Sequence, residues 1–264
     1  MTTFSQFSSL AAAAAVSGLL STSAYAGAGD WSFSLKGGPQ FQVGGDVHDG
    51  TSAPVPDLGA LNPDLAGVGA TLEIESRDYD DVYGTMWEIG GEIGYGLSDQ
   101  GQAFALVSYT WGNGDRLQVG GAAVPALETT LPVFGDFDDF GAWGVELGYR
   151  HHFDADGNWR PYVAGRAGLQ FVDSINATFT VPDAAITLAD VAFYKSSTVF
   201  TGGLEVGISY AVGDGLMVGL ESGIRYAGSL SDNDADIGGL GLGTINDKGS
   251  RWSVPLLLNV SFSY

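Results

Sequence analysis

Apolar and polar residues alternate with a period of two along most of the chain from Trp31 onward. That period puts successive side chains on opposite faces of an extended backbone, so each alternating run predicts a β-strand. Eight runs stand out: WSFSLKGGPQFQV (31–43), TMWEIGGEIGYGL (85–97), QAFALVSYTW (102–111), FGAWGVELGYRHHF (140–153), RPYVAGRAGLQFV (160–172), TVFTGGLEVGISYA (198–211), LMVGLESGIRYA (216–227) and RWSVPLLLNVSFSY (251–264). Each has one apolar face. In the second it is Trp87, Ile89, Ile93, Tyr95 and Leu97; in the eighth it is Trp252, Val254, Leu256, Leu258, Val260, Phe262 and Tyr264. The period blurs in the third run, where Val107, Tyr109 and Trp111 are read as the outer face.

The connections alternate in length. SDQG (98–101), DADGNW (154–159) and VGDG (212–215) are short turns rich in Asp and Gly. The other four are long, covering about 44–84, 112–139, 173–197 and 228–250. Loops above ~15 residues are uncommon in compact domains. A transmembrane β-barrel places long loops on one side and short turns on the other.

The opposite face of the strands is not a water surface. Glycine recurs on it, at 90, 94, 96, 144, 148, 168, 203, 207, 219 and 223. Glycine suits an exposed strand face poorly, but leaves room for long side chains inside a narrow barrel. The same parity collects Lys36, Glu88, Glu92, Glu146, Arg150, Arg166, Glu205, Glu221 and Arg225. An eight-stranded barrel is just wide enough to be filled by side chains, and charges there must be paired or hydrated. The reading is a plug of salt bridges; the alternative is a narrow polar pore.

Aromatic residues mark the ends of the apolar faces: Trp87 and Tyr95, Trp143 and Tyr149, Phe200 and Tyr210, Trp252 and Tyr264, with Trp31, Trp111 and Tyr226 in comparable places. A tilted strand crosses an apolar band of ~25 Å in roughly ten residues. The paired aromatics are thus expected to form two girdles at the lipid–water boundaries. The competing reading is a soluble β core.

Composition narrows the function. The chain has 264 residues and no cysteine, so disulfides and thiolate metal sites are excluded. Its net charge is −21, and no basic patch exists to meet nucleic acid. The four long connections hold 21 Asp and Glu against 4 Lys and Arg, so −17 of the −21 lies there. At the N-terminus AAAAAVSGLL (11–20) is followed by STSAYA (21–26), with small residues spaced A-x-A. Residues 1–26 are expected to be a signal peptide cleaved near Ala26, although MTTFSQFSSL lacks Lys and Arg. An N-terminal anchor is the alternative, but the apolar stretch is shorter than the ~20 residues a spanning helix needs.

On these features the chain resembles the small OmpA-like or opacity-type outer-membrane β-barrels of Gram-negative bacteria. The resemblance covers roughly residues 31–264 and is carried by the signal peptide, the eight strands with alternating loop lengths, and the terminal NVSFSY. It implies a single domain, 27–264, in the outer membrane, and a terminal pattern (Leu258, Val260, Phe262, Tyr264) read by the barrel-assembly machinery. It also implies contact with outer-membrane lipid and lipopolysaccharide. The soluble peptidoglycan-binding domain that often follows such barrels is not expected after the eighth strand.

Enzymes exist on this scaffold, with Ser–His–acid or Asp–His sites. The histidines are His48, His151 and His152. His151 and His152 adjoin a short turn, on the expected periplasmic side, and His48 in HDG has no recognisable partner motif. The acidic stretch DNDAD (232–236) offers Asp232, Asp234 and Asp236 as weak Ca²⁺ candidates, but no Glu closes the loop. No cofactor is implied. The sequence therefore predicts an all-β, closed, antiparallel, up-and-down barrel of eight strands, with ten as the alternative. The expected role is non-enzymatic, structural or surface-interacting, with a plugged lumen, acidic extracellular loops and an unspecified extracellular ligand. The other readings are a narrow porin-like channel and, behind it, an envelope enzyme.

Overall fold

The computed structural model describes residues 27–264 apart from 155, 156, 234 and 248. The expected signal peptide and its cleavage point near Ala26 lie outside the described residues. Eight strands close into one barrel: Trp31–Gly44, Thr85–Gly96, Gly101–Gly112, Phe140–His152, Trp159–Val172, Ser197–Gly213, Leu216–Ala227 and Arg251–Ser263. Each pairs antiparallel with its neighbours in sequence, and the eighth returns to the first. The order is that of an up-and-down meander.

The closing seam pairs Phe33 with Phe262 and Ser34 with Ser261. It is completed beyond the last strand residue. Trp31 N donates to Tyr264 O at 3.1 Å, and Tyr264 N donates to Trp31 O at 3.0 Å. No edge is left on the barrel, so no strand presents an unpaired side to its surroundings.

Parity is kept along the wall. The burial of Trp31–Gly44 alternates exposed and buried except around Gly37–Pro39. Leu147, Leu204 and Leu258 are 68%, 70% and 64% exposed, whereas Glu92 is fully buried. The third strand is blurred in sequence because Phe104 and Leu106 face inward, beside Ser108 and Thr110.

The four long connections are not free loops. Seven of their segments form a second sheet, ordered Ser231–Asp232, Ile186–Lys195, Ile175–Val181, Thr129–Phe137, Arg116–Val124, Ala70–Ile74, Thr51–Val55. An extra hairpin does form in the first connection, Thr51–Val55 with Ala70–Ile74, but it joins this cap sheet and leaves the barrel at eight strands. Two cap hairpins turn alike. Pro125–Leu127 and Pro182–Ala184 are single 3₁₀ turns, each led by Pro and followed by a left-handed residue, Glu128 (φ 48°) and Ala185 (φ 49°). Proline presets the φ that such a turn requires at its first position.

The connections are locked together by side chains reaching between them. Asn62 Nδ2 donates to Ala184 O at 2.8 Å, Tyr194 Oη to Val47 O at 2.5 Å, and Asn246 Nδ2 to Phe193 O at 2.6 Å. The short helix Tyr79–Tyr83 carries a capping box between Asp78 and Asp81, and buries Tyr79, Val82 and Tyr83 over the upper end of the barrel. The cap core runs without interruption into Met86, Phe140 and Val199 of the barrel strands. The carboxylates of the connections stay mostly outside, as at Asp57, Asp64, Glu73 and Asp136. The acidic loops of the sequence reading are thus an ordered, acidic cap.

Candidate functional site

The nine charged side chains collected by inward parity are all buried in the barrel and joined in one network. Toward the short-turn end, Glu92 accepts from Lys36 at 2.9 Å and from both Nη atoms of Arg150, at 2.8 and 3.0 Å. Lys36 also reaches Glu221 at 3.2 Å. Toward the cap, Arg225 donates to Glu88 at 2.6 Å and to Glu205 at 2.5 Å, and Glu88 also accepts from Gln40. Arg166 lies 3.2 Å from Glu205 and 3.4 Å from Glu146. Glu221 joins the two halves, 3.7 Å from Arg150 and 3.8 Å from Arg225.

A tenth charge belongs here. Arg251 is buried, donates to Gln170 Oε1 at 2.6 Å, and lies over the Phe140 ring at 4.4 Å. Its position in the eighth strand, one residue before outward Trp252, has the inward parity and could have revealed it. With Arg251 the barrel interior holds five buried acids and five buried bases. The formal charges of the interior therefore cancel, which lowers the cost of burying them, and the net charge resides at the two ends of the molecule.

Two aromatic residues in the lumen also escape a charge-based reading. Arg150 lies 4.8 Å from the ring of Phe104 and 4.8 Å from that of Tyr162, and Tyr162 Oη donates to Glu221 at 2.9 Å. Glycines make their space. A Cβ at Gly148 would sit 2.2 Å from Phe104 Cζ, and one at Gly207 2.2 Å from Tyr162 Cζ. Two polar cavities of about 20 Å³ each remain, one beside Arg150 and Tyr162, the other beside Glu88, Glu146 and Arg166.

The outward aromatics fall into two sets by register. Trp31 pairs with Tyr95 and Trp159 with Tyr210 near the short turns, with Tyr149 and Tyr264 at the same end. Trp87 pairs with Trp111, Tyr109 with Trp143, and Tyr226 with Trp252 near the cap, where Phe200 also lies. Rings touch within each set, at 5.0 Å for Trp31–Tyr95 and 5.0 Å for Tyr226–Trp252. Leu258, Val260, Phe262 and Tyr264 project outward from the closing strand.

The histidines are dispersed. His151 and His152 lie at the short-turn end, where His152 meets the Tyr162 ring at 5.5 Å. His48, assigned to a loop in sequence, is buried in the cap. Its Nδ1 faces Asp49 O at 3.2 Å and its Nε2 has no partner, so no Ser–His pair is assembled on it. Of the Ca²⁺ candidates, Asp232 pairs with Tyr194 in the cap sheet, Asp236 accepts from Ala192 N at 3.2 Å, and Asp234 lies outside the described residues. Among the described residues no three His, Asp or Glu are grouped to hold a metal.

The wall, the seam and the plug define the class: an eight-stranded, closed, up-and-down β-barrel with the architecture of small OmpA-like outer-membrane barrels. No protein-family model and no curated protein matches the sequence. Among solved structures, the chain is similar in outline to Neisserial surface protein A, at 15% identity and TM-score 0.42 over 87% of this chain and 96% of that one. It is similar to Ail, the attachment invasion locus protein of Yersinia pestis, at 10% identity and TM-score 0.37 over 90% and 99%. It is also similar to OprG from Pseudomonas aeruginosa, at 13% identity and TM-score 0.36 over 91% and 98%.

Proposed function

We propose that the protein is a non-enzymatic, integral outer-membrane barrel that presents an acidic, folded cap to the cell exterior. One observation carries this reading: the molecule is inverted relative to a soluble β protein. Its wall exposes Leu147, Leu204, Leu258 and their neighbours between two aromatic rings, while its interior buries ten charges. In water such a wall would expose an apolar belt far larger than monomeric proteins carry. In lipid the same belt is the stable surface, because the closed ladder leaves no free strand edge. The short turns then face the periplasm and the cap faces out.

The lumen is closed in this reading. Each polar cavity of about 20 Å³ has room for a water but not for a solute. The role is structural or surface-interacting, with lipid and lipopolysaccharide around the wall, the barrel-assembly machinery as partner during biogenesis, and an extracellular ligand at the cap. Membrane fractionation with heat-modifiable migration on a detergent gel tests the barrel; a soluble periplasmic protein overturns it. Planar-bilayer recording tests the plug. The expected result is no steady conductance, and sustained open channels overturn the closed lumen in favour of a narrow pore.

A further inference from the structure

The cap encloses a cavity of about 80 Å³ whose walls come from all four long connections. Leu58 and Leu72 line it from the first, Val133 from the second, Ile186 from the third and Ile245 from the fourth. Every lining side chain is apolar except His48. The imidazole is 2% exposed, stacked on Phe137 at 6.0 Å between ring centroids and edge-on to Phe193 at 6.1 Å.

The two ring nitrogens have different surroundings. Nδ1 faces the Asp49 carbonyl, which can only accept, so Nδ1 carries the proton. Nε2 then carries a lone pair that is buried, without a partner and hardly open to the cavity, so a donor reaches it as the ring or the walls shift. A bare acceptor in an apolar chamber is costly, and a donor brought to it would relieve that cost. Water is a poor candidate. A buried water needs ~2–4 polar partners, and apolar cavities stay dry. The space is about half the ~150 Å³ that takes up a benzene molecule in an engineered apolar cavity, so a small alcohol fits closely and a ring enters as the aliphatic walls move apart.

We propose that the cap cavity binds a compact apolar molecule carrying one hydrogen-bond donor, an alcohol or phenol in chemical class, with the donor placed on His48 Nε2. The apolar body replaces the missing van der Waals contacts of the cavity wall. The donor satisfies the one polar side chain that lines the cavity. Since the walls come from four connections, occupancy also ties those connections together.

The test uses the full mature chain refolded in detergent, with ¹³C-labelled methyl groups. 4-Fluorophenol and fluorobenzene are titrated separately, each referenced to protein-free micelles. The expected result is saturable shifts at Leu72, Val133 and Ile186 with 4-fluorophenol, and at least about tenfold weaker binding of fluorobenzene. His48→Phe should abolish that difference, and Ala122→Phe, which fills the cavity, should abolish both titrations. An absence of saturable shifts in the natural protein overturns the site. Equal affinity for the two probes, or an undiminished difference in His48→Phe, overturns the role of His48. If a variant does not fold, the comparison of the two probes on the natural protein decides alone.

Discussion

Arg150 is clamped by Glu92 through two hydrogen bonds of 2.8 and 3.0 Å, and its guanidinium lies 4.8 Å from the rings of both Phe104 and Tyr162. The pair spans the barrel interior, since Glu92 lies on the second strand and Arg150 on the fourth. Breaking one side of a buried pair leaves the other charge uncompensated. Glu92→Gln is expected to destabilise the barrel by about 3–5 kcal/mol. A lower urea midpoint for loss of the compact gel form, relative to the natural protein, checks this.

Gly207→Ala places a methyl group where Tyr162 now sits, with Cζ only 2.2 Å from the new Cβ. Tyr162 must leave both Arg150 and Glu221 to make room. The expected cost is about 1–3 kcal/mol. Gly213→Ala is the control, because its Cβ would meet nothing within 4 Å. Comparable losses in the two variants would contradict the packing argument.

Burial holds the His48 imidazole below its ordinary value of 6.5; Arg77 adds to this, while the Asp49 carbonyl hydrogen bond and the Asp49 and Asp46 carboxylates oppose it. An unfolded cap takes up the proton as pH falls through about 6.5, and the folded cap does not. Stability is therefore full above about 6.5 and falls as pH drops below that value toward the depressed folded pKa. Protease cleavage of the cap is expected to rise from about pH 7 to about pH 5, and His48→Phe should flatten that profile.

Ala185 holds a left-handed backbone, φ 49°, at the end of the Pro182–Ala184 turn. A Cβ in that region costs about 1–2 kcal/mol, and glycine avoids it. Ala185→Gly is expected to stabilise the cap by up to about 1 kcal/mol, read as slower hydrogen exchange in Ile175–Val181 and Ile186–Lys195. Faster exchange would show that the turn is held by other means.

Tyr264 hydrogen-bonds to Trp31 at both its amide and its carbonyl, outside the last strand residue. Its deletion removes two ladder bonds of a closed wall and the terminal aromatic. Surface levels are expected to drop severalfold, while the variant refolded in detergent keeps most of its unfolding midpoint. Unimpaired surface levels would count against a role for this residue in assembly.

The sequence by itself determined the strands and their two faces. A period of two admits no other regular backbone, and inward parity placed Glu92, Arg150, Glu205 and Arg225 in the lumen because each sits between outward neighbours such as Ile93, Tyr149, Leu204 and Ile224. Partners were not legible. Which acid meets which base depends on the stagger of strands around a closed barrel, and Arg150 reaches Glu92 across 58 residues of sequence. The cap was decided by tertiary structure almost entirely. Alternation shows in TLEIES (71–76) and INATFTV (175–181), but elsewhere the ladder is interrupted, as at Gly120, where it shifts register and φ is 156°, and the order of the cap strands is not written in the pattern. His48 reads as a polar loop residue in HDG; it is buried only because four connections, far apart along the chain, converge on it above the barrel.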